Sequence, residues 1–229
     1  MRYTGRICIT LLFITIVLGW HSLYFITDLK AANFFMFQRG QYKLDLILIP
    51  LLSPFFWWLG VQYDKAKYLA EKDSLTGLYN RRIIQQITPK LLSQMNHSED
   101  TLTISVIDCN NFKQINDELG HKMGDLVLKN ISDVLIICSN DGDYVARWGG
   151  DEFLIVSPHA DFKEAKEVTD KIEKVLAHLS TEMGMNISVS IGSALYPNDA
   201  YNLKDLLIIA DRNMYERKQH KPLNIKLKA

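Results

Sequence analysis

The hydrophobic pattern divides the chain near residue 63. Before that point two runs are almost wholly apolar: Ile7 to Thr27, reading ICITLLFITIVLGWHSLYFIT, and Leu46 to Tyr63, reading LILIPLLSPFFWWLGVQY. The first is about as long as a helix needs to cross a bilayer, roughly 20 residues. Pro50 and Pro54 in the second would break a soluble helix but are tolerated in a membrane span. Trp57, Trp58 and Tyr63 near its end resemble an interfacial aromatic belt. The runs predict a two-helix transmembrane hairpin, with spans at about 7–27 and 46–63, as a membrane anchor covering residues 1–63. A cleaved signal peptide is the alternative for the first run; it is long for that role, and only Ala31-Ala32 offers a small-residue cleavage site. A buried soluble hairpin is the alternative for the pair, set against the missing polar face.

Asp64 to Lys72 (DKAKYLAEK) is charged, lacks Gly and Pro, and predicts a helical linker over 64–72 that could pair with its twin in a dimer. From residue 73 onward the periodicity alternates between short β-branched runs and amphipathic stretches. Asp73 to Met95 predicts helical stretches interrupted at Pro89. Thr101 to Asp108 predicts a strand and Asn110 to Leu119 a helical turn or loop. Lys122 to Cys138 predicts an amphipathic helix, with Leu126, Leu128, Ile131, Val134 and Leu135 at helical intervals. Tyr144 to Trp148 and Phe153 to Ser157 predict two strands joined by a hairpin turn at Gly149 to Glu152. Helix at Asp161 to Leu179, strand at Ile187 to Ala194 and helix at Tyr201 to Lys218 complete the order. This predicts an α/β sandwich: a mixed central sheet with helices on both faces, filling a domain at 73–229.

Lys+Arg and Asp+Glu both number 26, a net charge of +0, so the chain has no electrostatic footprint of a nucleic-acid binder. A nucleotide substrate remains open, because it needs local charge and metal only. The three cysteines, Cys8, Cys109 and Cys138, show no metal spacing and read as reduced residues. Basic residues flank both spans (Arg2, Arg6, Lys65, Lys67, Lys72) and also fill their connection (Lys30, Arg39, Lys43), so charge alone leaves orientation nearly undecided.

Two segments carry candidate chemistry. In Arg147-Trp-Gly-Gly-Asp-Glu-Phe153, two glycines allow close ligand approach and two adjacent carboxylates need a positive partner. A plain surface hairpin explains those residues equally well. In the second segment, Asp108 ends an apolar strand, where an aspartate serves as a cap or as a hard-oxygen ligand suited to magnesium.

Together these segments resemble the GGDEF domain of diguanylate cyclases. Asp73-Ser-Leu-Thr-Gly-Leu-Tyr-Asn-Arg-Arg82 is similar to that family's N-terminal signature. Ser190-Ile-Gly-Ser-Ala194 and Ala210-Asp-Arg-Asn-Met-Tyr215 resemble its later motifs, and the match runs from about Asp73 to about Lys221. The resemblance implies a nucleotide-cyclase-like palm that joins two GTP into cyclic di-GMP and two pyrophosphates. It implies magnesium (or manganese) held by Asp108, Asp151, Glu152 and the Cys109 backbone carbonyl, with Asp151, Glu152 and Lys113 catalytic. It implies substrate binding by Asn116, His121, Asp125, Gly149, Gly150 and Lys218, with Asn116 and Asp125 recognising guanine. One GTP per domain implies a catalytic homodimer. A catalytic unit that uses GTP places both termini in the cytosol, on a multi-pass protein of the cytoplasmic membrane that could also meet a signalling partner. A silent nucleotide-binding regulator and a cyclase of other base choice are the rival readings.

Three positions depart from the family pattern. Asn110 replaces a common Asp, and Asn140 replaces the Arg of an inhibitory Arg-x-x-Asp site whose Asp is Asp143. Pro222 replaces an Arg four residues after Lys218, with Lys221 beside it. Weak or absent product inhibition is the expectation at Asn140, because a bidentate guanidinium is lost.

Overall fold

The computed structural model describes residues 4–27, 29–30, 34, 41–95 and 100–220. Lys221, Pro222, Ala31-Ala32, Arg2 and Arg39 therefore lie outside the described residues. The chain divides into two compact units, Met1–Ala70 and Glu71–Ala229.

The first unit contains helix α1 (Thr4–Thr27) and most of helix α2 (Gln41–Glu71), which runs through Pro50 and Pro54. The two pack antiparallel. Phe13 stacks on Phe56 with ring centroids 4.2 Å apart. Asp64 accepts a hydrogen bond from the Gly5 N–H (2.8 Å), one of the orphan donors of the first turn of α1. Glycine is needed where the helices touch: a Cβ at Gly60 would lie 2.4 Å from Arg6 Cα. Among the described residues one helical segment, Leu46–Glu71, is long and apolar enough to cross a membrane, and only 6% of its apolar window is buried. Thr4–Trp20 is apolar but shorter, so of the two expected spans the described residues give one candidate.

The second unit is built on a five-stranded mixed sheet in the order β1-β3-β4-β2-β5. The strands are β1 (Tyr79–Asn80), β2 (Leu102–Cys109), β3 (Tyr144–Arg147), β4 (Glu152–Pro158) and β5 (Val189–Tyr196). Only β1 and β3 pair in parallel; β3 with β4, β4 with β2 and β2 with β5 are antiparallel. Five helices cover the sheet: α3 (Arg81–Gln94), α4 (Phe112–Leu119), α5 (His121–Cys138), α6 (Phe162–Met183) and α7 (Leu203–His220).

Period-two alternation sorts the strand side chains between two cores. Ile107, Cys109, Phe153, Ile155, Val189 and Ile191 join Val127, Ile131, Leu135, Ile172 and Leu176 beneath α4, α5 and α6. Leu102, Ile104, Val106, Leu154, Val156 and Ala194 join Ile84, Leu206, Ala210 and Met214 beneath α3 and α7. Both faces of β2 are buried, including Thr103, which donates to the Ala160 carbonyl (2.9 Å), and Ser105, whose hydroxyl pairs with that of Ser193 (2.8 Å).

The expected α/β sandwich with a mixed sheet is the fold found, with two local corrections. Asp73 to Asn80 is not helical: the Asp73 side chain accepts from the Thr76 N–H (2.9 Å) and holds a turn, and Tyr79-Asn80 pair with β3. Helix begins only at Arg81, where Asn80 caps Ile83, and it continues through Pro89 to Gln94. Glu152 is not part of the hairpin turn but the first residue of β4, paired with Asp108 across the ladder.

Candidate active site

The site lies where β2 ends beside the β3–β4 turn. Asp108 is the register partner of Glu152 on one side and of Ser190 on the other. The next N–H, that of Cys109, donates to the Asp151 carbonyl (3.1 Å), so the ends of β2 and of the turn are tied together. These pairings bring Asp108, Asp151 and Glu152, from two separate sequence segments, to one end of the central strands β2 and β4.

The turn is held from three directions. The Trp148 N–H donates to the Glu152 carbonyl (2.8 Å), closing the hairpin. Arg147 donates through Nη2 (2.7 Å) and Nε (3.2 Å) to the Gly150 carbonyl, and through Nη1 (3.1 Å) to Asp73. The Arg81 guanidinium lies 4.7 Å from the centre of the Trp148 ring. Gly149 leaves room for its own neighbour, since a Cβ there would meet Glu152 Oε2 at 2.8 Å, while Gly150 faces open space. Arg147 and Arg81 were not singled out from sequence; their partners are far away along the chain, and only the position of Arg147 before the turn hinted at a role.

Helix α7 supplies the cation. It approaches β5 closely because Gly192 has no side chain: a Cβ there would lie 2.0 Å from Met214 N. Asn213 fixes it by donating to the Ser193 carbonyl (2.8 Å). One turn beyond Met214, Lys218 reaches Asp108 and forms a direct ion pair with its Oδ2.

Electrostatically the pocket is short of positive charge. Burial raises the Asp108 carboxyl above its ordinary value; Asp151 and Asp211 push the same way, and Lys218 only partly offsets them. Burial also raises Glu152, again helped by Asp108, Asp151 and Asp211, with Arg81 opposing. The Cys109 thiol is pushed up to about 12, first by burial and then by Asp151 and Asp108, so it is no nucleophile. Asp211 belongs to the cluster although sequence reading gave it no role. Asp73 goes the other way: burial raises it, but hydrogen bonds from Thr76 and Arg147 outweigh this and lower it.

This donor set fits a hard divalent cation. Every available ligand is an oxygen, and the carboxylates repel one another in the absence of a counter-charge. Among the described residues no three His, Cys, Asp or Glu side chains are grouped as a complete ligand set.

The remaining expected residues lie on α4 and α5. Lys113 is exposed on the first turn of α4, and His121 and Asp125 are exposed on the first turns of α5. Asn116 is half-buried against Gly124, where a Cβ would lie 2.0 Å from Asn116 Oδ1. Elsewhere, Asn140 and Asp143 line a cavity of about 310 Å³ with Asp141, His159, Glu164, Glu167 and Lys171. Its carboxylates outnumber its cations, and the Asn140 N–H is bound to Asp143 (2.8 Å).

Comparison with known proteins agrees with this architecture. The family described as diguanylate cyclase, GGDEF domain, matches residues 70–222. Diguanylate cyclase DosC of Escherichia coli is 34% identical over 151 residues, 64% of this chain and 33% of DosC. YhcK of Bacillus subtilis is 30% identical over 221 residues, covering 91% of this chain and 60% of YhcK. The chain thus spans between a third and three-fifths of these relatives' length. The solved GGDEF domain of TpbB from Pseudomonas aeruginosa superposes with a TM-score of 0.61 at 37% identity, covering 66% of this chain and 90% of that domain. A solved microbial GGDEF domain described in its interaction with cyclic di-GMP is 34% identical, with a TM-score of 0.55, over 66% of this chain and 94% of that one. With the carboxylate cluster at the Gly-Gly turn and a family match across nearly all of the second unit, this chain belongs to the GGDEF diguanylate cyclase family.

Proposed function

We propose that this protein is a membrane-bound diguanylate cyclase that condenses two GTP into cyclic di-GMP with release of two pyrophosphates. The observation that carries the reading is the register of Asp108 against Glu152, with Asp151 at the adjoining turn and Lys218 against Asp108. The reported activity of DosC supports it.

Asp108, Asp151, Glu152 and the Cys109 carbonyl would hold magnesium or manganese, which would supply charge neutralisation on the phosphates. This chain's residues do the rest. Asp151 takes the proton from the ribose 3′-hydroxyl that attacks the α-phosphate of the opposing GTP. Glu152 sits beside it as a second active-site carboxylate. Lys113 and Lys218 bind phosphate oxygens, and Lys218 exchanges Asp108 for substrate when GTP enters. Gly149 and Gly150 let the nucleotide lie close to the turn. Asn116 and Asp125 hydrogen-bond the guanine edge, where adenine would present a different donor and acceptor pattern to the Asp125 carboxylate, and His121 supports that edge. Phosphoryl transfer of this kind depends mainly on positioning and electrostatics, which this set provides.

Each GGDEF unit holds one GTP, so ring closure takes a homodimer whose sites face each other. The apolar α1 and α2 anchor the protein as a multi-pass hairpin in the cytoplasmic membrane, with the catalytic unit in the cytosol. Leu46–Glu71, the one candidate span among the described residues, supports membrane attachment. A signalling partner of the anchor is part of the reading; a nucleic-acid partner is not, given the balanced charge.

The test is pyrophosphate release from GTP by the full chain with magnesium, beside Asp151→Ala and Asp108→Ala. Release that both substitutions abolish is the expected outcome. Tight GTP binding without release would instead favour a silent regulator.

A further inference from the structure

The two residues that close β2, Cys109 and Asn110, are tied on both sides. Toward the turn, the Cys109 N–H bonds to the Asp151 carbonyl (3.1 Å). Toward β5, Asn110 makes three bonds: its N–H donates to the Ser188 carbonyl (2.9 Å), its Nδ2 donates to Ser188 Oγ (3.0 Å), and its Oδ1 accepts from Ser190 Oγ (2.8 Å). Ser190 is fully buried and is also the register partner of Asp108. Immediately beyond, Asn111 turns the chain into α4 through a left-handed conformation (φ 57°), a geometry that an unanchored strand end would not hold.

We propose that Asn110 is a positioning residue for the divalent-metal site, holding the Asp108 carboxylate and the Cys109 carbonyl through Ser188 and Ser190 without ligating the metal itself. The proposal rests on the cyclase reading above and deepens it. The Asn110 side-chain oxygen is engaged by Ser190, and an amide nitrogen is no ligand for a hard cation. An outer partner of this type fixes where first ligands sit, and its removal typically weakens metal binding by roughly 10–100-fold. The amide is also neutral, beside carboxylates that already repel one another. Asn110→Asp keeps the geometry, because both serine hydroxyls can turn to donate to a carboxylate, and it adds one negative charge near the cation.

The test is Mn2+ titration of the nucleotide-free full chain in detergent, followed by the electron paramagnetic resonance of free Mn2+, with Asp108→Ala marking the signal that belongs to this site. Asn110→Ala is expected to weaken binding at least about tenfold. Asn110→Asp is expected to tighten it about fivefold, because it adds a negative charge near the divalent ion. Ser190→Ala alone weakens binding but adds nothing in the Asn110→Ala background. A role confined to stability would move the melting temperature and leave Mn2+ affinity alone. Parent-like affinity in Asn110→Ala, or weaker affinity in Asn110→Asp, overturns the proposal; should Asn110→Ala not fold, Asn110→Asp and Ser190→Ala decide it. If the parent binds no Mn2+, the proposal falls with the metal reading. If the parent and variants bind as expected but no cyclic dinucleotide forms, the positioning role stands and the cyclase reading fails.

Discussion

Replacing Arg147 by Ala removes the clamp between the N-terminal signature and the catalytic turn. Three hydrogen bonds go: two to the Gly150 carbonyl (2.7 and 3.2 Å) and one to Asp73 (3.1 Å). The Arg147 and Asp73 side chains are 17% and 22% exposed, so their ion pair is partly screened and worth about 1 kcal/mol. The bonds to Gly150 add about 1–2 kcal/mol, and water can replace only part of that at an exposed carbonyl. The sum, about 2–3 kcal/mol, corresponds to a fall in melting temperature of roughly 4–12 °C for a unit of this size. Turnover falls further, because Asp151 and Glu152 ride on the loosened turn and a displacement of about 1 Å is worth roughly 100-fold. Asp73 has a lowered pKa, so its share of the stability is present above its ordinary value of 3.8 and is lost as pH falls through the lower folded value. Calorimetric melting at neutral and acidic pH, with GTP turnover on the same samples, reads all three effects. Arg147→Ala with parent-like melting and turnover would refute the reasoning. So would a deficit that stayed constant as Asp73 titrated.

Four further outcomes follow from the geometry. Glu152→Gln should melt higher than the parent at neutral pH when both are chelator-treated, and should lose turnover when both are given magnesium. The raised Glu152 pKa means ionisation opposes folding above that pKa, and the penalty is relieved as pH falls through it toward 4.5, so the difference should shrink in acid. Gly124→Ala should push Asn116 aside and raise KM for GTP about tenfold with kcat little changed, the loss of roughly one hydrogen bond; a melting shift with unchanged KM would contradict this. The cavity at Asn140 should bind no cyclic di-GMP in calorimetry of nucleotide-free protein, and Asn140→Arg should bring binding and product inhibition; tight binding by the parent would sink that account. Gly60→Leu should separate α1 from α2, read as loss of crosslinking between cysteines placed at Phe13 and Phe56 in an otherwise cysteine-free chain.

Much of this fold is legible in the sequence because burial writes itself into composition. β4 is covered on both faces, so Phe153 to Val156 stands out as an apolar run, and β2 shows itself by its β-branched residues. Helices α3, α5 and α6 carry clear amphipathic periods, and α6 announces itself with a capping box at Asp161 and Glu164. The short strand β1 was missed because two residues show no period; only its partner β3 makes Tyr79-Asn80 a strand. Pro89 was read as an interruption, yet α3 is held through it by Ile84, Thr88 and Leu92, all buried. At the site, motif identity pointed to Asp108 and Asp151, but the partners that shape them did not follow from it. Arg147 reaches Asp73 and Asn110 reaches Ser190 across 74 and 80 residues of chain, and no local pattern encodes contacts of that separation.

The central claim is that two GTP become one cyclic dinucleotide on this chain. The direct measurement is mass-spectrometric and chromatographic identification of the nucleotide formed when the purified full chain is given GTP and magnesium. The account predicts cyclic di-GMP with two pyrophosphates released per ring, and none of it from Asp151→Ala. GTP left intact, or converted only to a linear or hydrolysed product, would contradict it.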